Sequence, residues 1–130
     1  MPARIPLPTE AELELLRILW ARGPSTVREV RDGLPPARRG GYTTVLKLLQ
    51  IMHGKGLVTR DETERSHVYR AVAAEAATQR RLVGDLADRA FGGSAAKLVL
   101  NALSGRPATA AERAEIRALL ELLEAGEEEG

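Results

Sequence analysis

Gly41-Tyr42-Thr43-Thr44-Val45-Leu46-Lys47-Leu48-Leu49-Gln50-Ile51-Met52-His53-Gly54-Lys55-Gly56-Leu57-Val58 changes character within a few residues of its end. Val45, Leu48, Leu49 and Met52 recur at i, i+3, i+4 and i+7, so the spacing predicts a helix with one apolar stripe turned to a core. Thr43, Lys47 and Gln50 fall on the opposite side. A glycine stops the helix, and Leu57-Val58 runs on as a strand. Small hydroxyls, a cation and an amide on the open face of a helix are groups that reach base edges and phosphates. Leu46 and Ile51 flank that face. Two readings stay open for them: touching thymine methyls, or packing on a neighbouring element.

Upstream, Thr9 with Glu12 spells a capping box that starts a first helix, with Leu13, Leu16, Ile18, Leu19 and Trp20 as its apolar positions and Gly23-Pro24 as its stop. Thr26 with Glu29 spells a second box. It opens a shorter helix whose Val27, Val30 and Leu34 point inward and which Gly33 and Pro35-Pro36 end. The loop to the third helix carries Arg38 and Arg39. Downstream, Leu57-Val58-Thr59-Arg60 and His67-Val68-Tyr69-Arg70 read as paired strands, with Asp61 to Ser66 as a polar tip. Three short helices followed by a hairpin have the layout of a winged helix-turn-helix. The expected fold class is therefore all-α with a small β-wing, the winged domain spanning residues 1–72 and its first eight residues loose.

From Ala73 the chain turns alanine-rich and helical. Leu82, Val83, Leu86, Ala90 and Phe91 share one helical face, and Gly92-Gly93 breaks it. Ser94 caps a short helix with Leu98, Val99, Leu100 and Leu103. Thr109 with Glu112 opens a last helix with Ile116, Leu119, Leu120, Leu122 and Leu123. A segment this short rarely buries so much aliphatic surface by itself. Residues 73–130 are therefore expected to be a dimerisation region built on Leu82, Leu86, Phe91, Leu98, Leu103, Ile116, Leu119, Leu120 and Leu123. Folding back onto the winged domain is the competing reading. Glu124 to Gly130 is expected to be a disordered acidic tail.

The net charge of the 130 residues is +1, but it is unevenly spread. Residues 1–72 hold 12 Lys and Arg against 8 Asp and Glu; residues 73–130 hold 7 against 10. A basic front half suits a polyanion. Cysteine is absent, which removes disulfides, thiolate metal sites and cysteine nucleophiles and fits a cytoplasmic location. No apolar run is long enough for a signal peptide or a membrane span. His53 and His67 lack clustered carboxylates, so no metal and no cofactor are expected. No residue set suggests an enzyme.

The candidate DNA-binding residues are Tyr42, Thr43, Thr44, Lys47 and Gln50 on the third helix, with Thr44 bonding a phosphate or capping the helix start. Ser25 and Thr26 at the second helix start are further candidates. Arg38, Arg39, Lys55, Arg60, Arg65 and His67 form a phosphate track on either side.

Pro8-Thr9-Glu10-Ala11-Glu12-Leu13, Ile18-Leu19-Trp20, Ser25-Thr26-Val27-Arg28-Glu29-Val30, Tyr42-Thr43-Thr44-Val45, Lys55-Gly56-Leu57-Val58 and Arg65-Ser66-His67-Val68-Tyr69 together resemble the penicillinase-repressor family, which has copper-responsive relatives. The resemblance covers residues 8–72 well; beyond them it rests on helix count and spacing. It implies a transcriptional repressor that binds an inverted-repeat operator as a homodimer, with no enzymatic activity. In the antibiotic-responsive members it also implies a membrane sensor metalloprotease as partner and cleavage within the dimerisation region, here at Asn101-Ala102. Ala102 stands where well-known members carry a bulky aromatic. Ile51 stands where the family often has arginine, and Lys47 where threonine is common. The cysteine motif of the copper-responsive branch is missing. Two other readings remain: a winged-helix regulator that responds to a small molecule, and a winged-helix module that docks proteins.

Overall fold

The computed structural model describes residues 5–129. In chain order the elements are α1 (Glu10–Arg22), β1 (Ser25–Thr26), α2 (Val27–Gly33), a single 3-10 turn (Pro36–Arg38), α3 (Tyr42–Lys55), β2 (Val58–Asp61), β3 (Val68–Ala71), α4 (Glu75–Ala90), α5 (Ala95–Gly105) and α6 (Ala110–Glu129). The protein is mostly helical with one small antiparallel sheet, ordered β1-β3-β2. It divides into two compact units, one ending at Val83 and the other beginning at Gly84. The division falls inside α4, later than the change in composition at Ala73.

In the first unit, each helix start has a local chemical cause. The Glu12 amide donates to Thr9 Oγ1 at 3.2 Å and the Thr9 amide donates to Glu12 Oε1 at 2.9 Å. The same reciprocal pair joins Thr26 and Glu29 at 3.2 and 2.9 Å. Each box satisfies two amides that a helix start leaves without partners. These bonds hold the Glu29 carboxyl below its usual range. At the far end of α3, Gly56 takes the left-handed conformation (φ 85°). The Leu57 amide there donates to the Met52 carbonyl at 3.0 Å, which turns the chain directly into β2.

The core gathers Leu15, Leu16 and Leu19 from α1, Val27, Val30 and Leu34 at α2, Val45, Leu49 and Met52 from α3, then Leu57, Val58 and Tyr69. The apolar stripe of α3 is buried as its spacing requires. Leu48 is half-buried, as is Leu46, which packs against the core. Leu15, which the sequence reading passed over, is one of the three buried leucines of α1. The hairpin pairs Val58 with Ala71 and Asp61 with Val68, so both strands start one residue later than the sequence suggested. The short strand β1 was also not foreseen. It pairs Ser25 with Tyr69 and makes β3 the central strand. Two residues are too few for period-two alternation to register.

Gly33 shows how closely α1 and α2 meet. A Cβ built there would lie 2.9 Å from Ile18 Cγ2. Alanine ordinarily favours a helix over glycine, but the clash with a branched side chain outweighs that gain. Gly33→Ala is expected to lower stability by about 1–3 kcal/mol. A denaturant titration would show it, and a rise in midpoint would refute the close approach.

The start of α4 belongs to this first unit. Thr78 is buried, and Arg81 Nη2 donates to the Ile5 carbonyl at 2.7 Å. Just upstream of α4, the Ala73 carbonyl accepts from Trp20 Nε1 at 3.0 Å. These ties explain why the unit runs past the hairpin to Val83.

In the second unit, α5 is capped by Ser94, whose Oγ accepts from the Lys97 amide at 3.1 Å. Thr109 and Glu112 form the third reciprocal box at 2.9 and 3.1 Å. The acidic tail is a correction to expectation, since α6 continues through Glu124 to Glu129. Glutamate, alanine and leucine are strong helix formers, and a run of them extends a helix already nucleated upstream. Little of this unit's aliphatic surface is covered. Leu86, Val99, Leu100, Leu103, Leu119, Leu120 and Leu123 are exposed, and Leu122 is 70% exposed. Phe91, Leu98 and Ile116 are half-buried, as is Leu82 at the end of the first unit.

Candidate nucleic-acid interface

The stripe that buries Val45, Leu49 and Met52 fixes what α3 turns outward. Thr43, Lys47 and Gln50 are all exposed on the opposite side, and Tyr42, Thr44, Ile51 and Gly54 are exposed around them. A helix has 3.6 residues per turn, so Thr43, Lys47 and Ile51 form one row along it. The start of α3 differs from those of α1, α2, α5 and α6. Those four are capped by the hydroxyls of Thr9, Thr26, Ser94 and Thr109. The N-cap of α3 is Gly41, which has no side chain to cap with, and Thr44 does not supply one. No side chain therefore accepts from its first amides, and the helix dipole adds positive potential there.

Beside that start lies a cleft of about 290 Å³ lined by Thr26, Val27, Arg28, Tyr42, Ser66 and His67. It joins the start of α2, the start of α3 and the return of the wing. Thr26, Tyr42 and His67 are three of the sequence candidates, brought together from three separate stretches. Arg28 and Ser66 were missed. Their only sequence signal is position: Arg28 falls two residues after the capping threonine, and Ser66 next to His67.

Other candidates are engaged inside the chain. Ser25 is buried in β1, and its Oγ donates to the Gly23 carbonyl at 2.8 Å. Its assignment to a phosphate is corrected, because the hydroxyl stabilises the turn before α2. Arg39 donates to the carbonyls of Arg31, Asp32 and Leu34 at 3.2, 2.9 and 3.1 Å. It clasps the end of α2, where the outgoing carbonyls lack helical partners. Arg31 closes the other side of the loop by donating to the Gly40 carbonyl at 2.8 Å. Arg39 is thus a loop fastener. Lys55 is engaged as well: its Nζ lies 2.8 Å from Oε2 of Glu12, a carboxylate with only 1% of its surface exposed.

Two more cations carry acid partners at the surface. Arg38 Nε lies 2.6 Å from Glu14 Oε2, and Arg60 Nη2 lies 2.8 Å from Glu62 Oε1. The Tyr69 hydroxyl beside it, then the Glu62 charge, push the Arg60 guanidinium above the usual arginine value. At the wing tip, the amide and hydroxyl of Thr63 both donate to Asp61 Oδ1, at 2.9 and 2.7 Å. They lower the Asp61 carboxyl and fix the turn. Arg65 is exposed on the same tip. Among the described residues, Lys47, Arg28 and Arg65 pair with no carboxylate, and no cluster of His, Asp or Glu suited to a metal ion occurs.

The family model described as penicillinase repressor matches residues 8–122 of the chain. The chain belongs to the penicillinase repressor family. Two sequences named transcriptional regulator BlaI, from Mycobacterium tuberculosis strains CDC 1551 / Oshkosh and ATCC 25618 / H37Rv, are each 38% identical to it over 64 residues. That is 48% of this chain and 46% of theirs. The chain spans about half the length of the curated relatives it matches. A solved structure named "CopR Repressor Structure" is 27% identical with a TM-score of 0.44, covering 51% of this chain and 96% of that one. For a penicillinase repressor family member, the outward row of α3 and the cleft beside it are the surfaces to be explained.

Proposed function

We propose that this protein is a homodimeric transcriptional repressor that lays α3 in the major groove of an inverted-repeat operator, one copy per half-site. The observation that carries the reading is the outward face of α3. Thr43, Lys47 and Gln50 project from a helix whose start has no capping side chain, next to a cleft lined by Arg28, Tyr42, Ser66 and His67. Duplex DNA supplies what this surface lacks: phosphate oxygens for the open amides and the cleft, base edges for the row of side chains. Arg65, exposed on the wing tip without an acid partner among the described residues, is the wing cation left for a neighbouring phosphate.

The dimer rests on the leucines of α5 and α6. Their exposure is more than a lone soluble copy ordinarily tolerates. Among the described residues, no helix is long and apolar enough to cross a membrane, which agrees with a cytoplasmic repressor. Membership of a repressor family supports a protein that is not an enzyme. Relief by a membrane sensor metalloprotease acting at Asn101-Ala102 is the induction that the family suggests. That peptide lies inside α5, where the Asn101 amide group donates to the Lys97 carbonyl at 2.8 Å. The helix would have to unwind locally before a protease reached the bond. Among the described residues, the most closed apolar recess, between Ile5, Pro8, Leu16, Trp20 and Val72, has only about 30 Å³, too little for a small molecule, and the larger clefts along α1 and beside Pro24 are shallow and open to solvent.

Band shifts with operator and scrambled duplexes test this function. Lys47→Ala should weaken specific binding about tenfold and Thr43→Val should relax base preference. Equal binding of both duplexes by the unaltered protein would overturn the assigned face.

A further inference from the structure

Ile51 has an exposed side chain on the helix that the proposed function places against DNA. Leu46 and Leu48 are half-buried and pack against the core, whereas Ile51 is 43% exposed and takes no part in it. It follows Lys47 by one turn on the row that begins at Thr43. A second oddity sits one turn further on. Gly54 is a glycine within α3, where alanine would be more stable by roughly 0.5–1 kcal/mol. A Cβ built on Gly54 would meet nothing within 4 Å, so no close approach within the chain requires glycine there. Ile51 is therefore an exposed aliphatic branch with bare backbone at Gly54 beside it, and Lys55, next on the row, holds its ammonium on Glu12.

A major groove presents one aliphatic group, the C5-methyl of thymine. We infer that Ile51 is a specificity-determining residue that selects thymine by contact with its methyl, with the open ground at Gly54 leaving space for the base edge. The inference rests on the reading of α3 as the duplex-facing helix. It adds a preference at one position of each half-site that Thr43, Lys47 and Gln50 do not account for. The preference is apolar, so it distinguishes thymine from uracil, which has the same hydrogen-bonding groups and lacks only the methyl.

The test uses the full chain. Duplexes are selected from a random-sequence pool, and affinities are then measured by fluorescence anisotropy with each thymine of a half-site replaced in turn by deoxyuridine. At one thymine per half-site, loss of the methyl should weaken binding by about three- to tenfold. Ile51→Ala should be indifferent to that replacement while keeping its responses elsewhere. Ile51→Val, which removes a single methylene and leaves the fold intact, should fall between. A selected half-site without thymine, a protein indifferent to every uracil, or an Ile51→Ala variant with unchanged sensitivity would each overturn the inference and leave DNA binding standing. Failure to enrich any duplex would overturn both.

Discussion

In the proposed dimer, glutamates at Leu120 and Leu123 should separate the two copies and cut operator affinity by a factor on the order of 100 or more. Both leucines are more than half exposed on α6, in the row that includes Ile116 and Leu119. Burying such a side chain is worth about 1.5–3 kcal/mol, and several of them from each copy outweigh the cost of joining two chains. A carboxylate inside that contact would be desolvated without a partner. In the proposed complex, losing the partner copy would also remove the second half-site contact, and linked sites commonly owe factors of about 10²–10⁴ to their linkage. Sedimentation equilibrium would give the mass, and anisotropy on an inverted repeat the affinity. The winged unit should keep its far-ultraviolet signal and its weak half-site binding. A variant that stays dimeric, or an unaltered protein that sediments as a monomer, would remove the basis for the dimer.

The second large effect concerns the pair Glu12–Lys55. Glu12 lies at the start of α1 and Lys55 at the end of α3, so each charge also favours the dipole of its own helix. Burial tends to raise the Glu12 carboxyl. The Lys55 ammonium, then the amide and hydroxyl of Thr9, more than offset it and hold the group below its usual value. Lys55→Met keeps the aliphatic stem and leaves the buried carboxylate without its cation. At neutral pH it should cost about 1.5–3 kcal/mol, the range for a hydrogen bond to a charged group. The figure is below that of a fully buried pair because Lys55 is about one-third exposed.

The sign with pH follows from the direction of the shift. A lowered carboxyl contributes stability that is fully present above its unfolded value, about 4.3, and is lost as pH falls through the folded value. The gap between the parent and Lys55→Met should therefore be widest near neutrality and close below about pH 4. Urea titrations at several pH values measure it. A gap that stays constant down to pH 3 would show that the pair contributes through packing instead of charge.

What the sequence disclosed and what it withheld divide along a physical line. Thr9–Glu12, Thr26–Glu29 and Thr109–Glu112 were legible because a capping box is local, four residues from end to end. The buried stripe of α3 was legible because one period governs it. Glu12 as a partner of Lys55 was not, since nothing local joins residues 43 positions apart. Arg39 was placed on a phosphate track because a sequence gives its charge and not the direction of its guanidinium. The strand β1 was hidden in a dipeptide that also spells a helix cap, and Ser25 was misplaced with it. The helical tail was read as disorder because its acidity was weighed above its helix propensity. At the candidate interface, the outward row of α3 followed from the helix period. Arg28 and Ser66 emerged only when the fold drew the wing back to the start of α2.

The acid partners of Arg38, Arg60 and Lys55 have a kinetic consequence. A surface with three of its cations already matched from within displaces fewer counterions when it meets a duplex than its count of basic residues suggests, so its hold on arbitrary sequence is weakened. Such a protein leaves wrong sites quickly. In the proposed dimer, residence at the right one would depend on base-edge fit and on both copies engaging together, and less on bulk attraction to the phosphate chain.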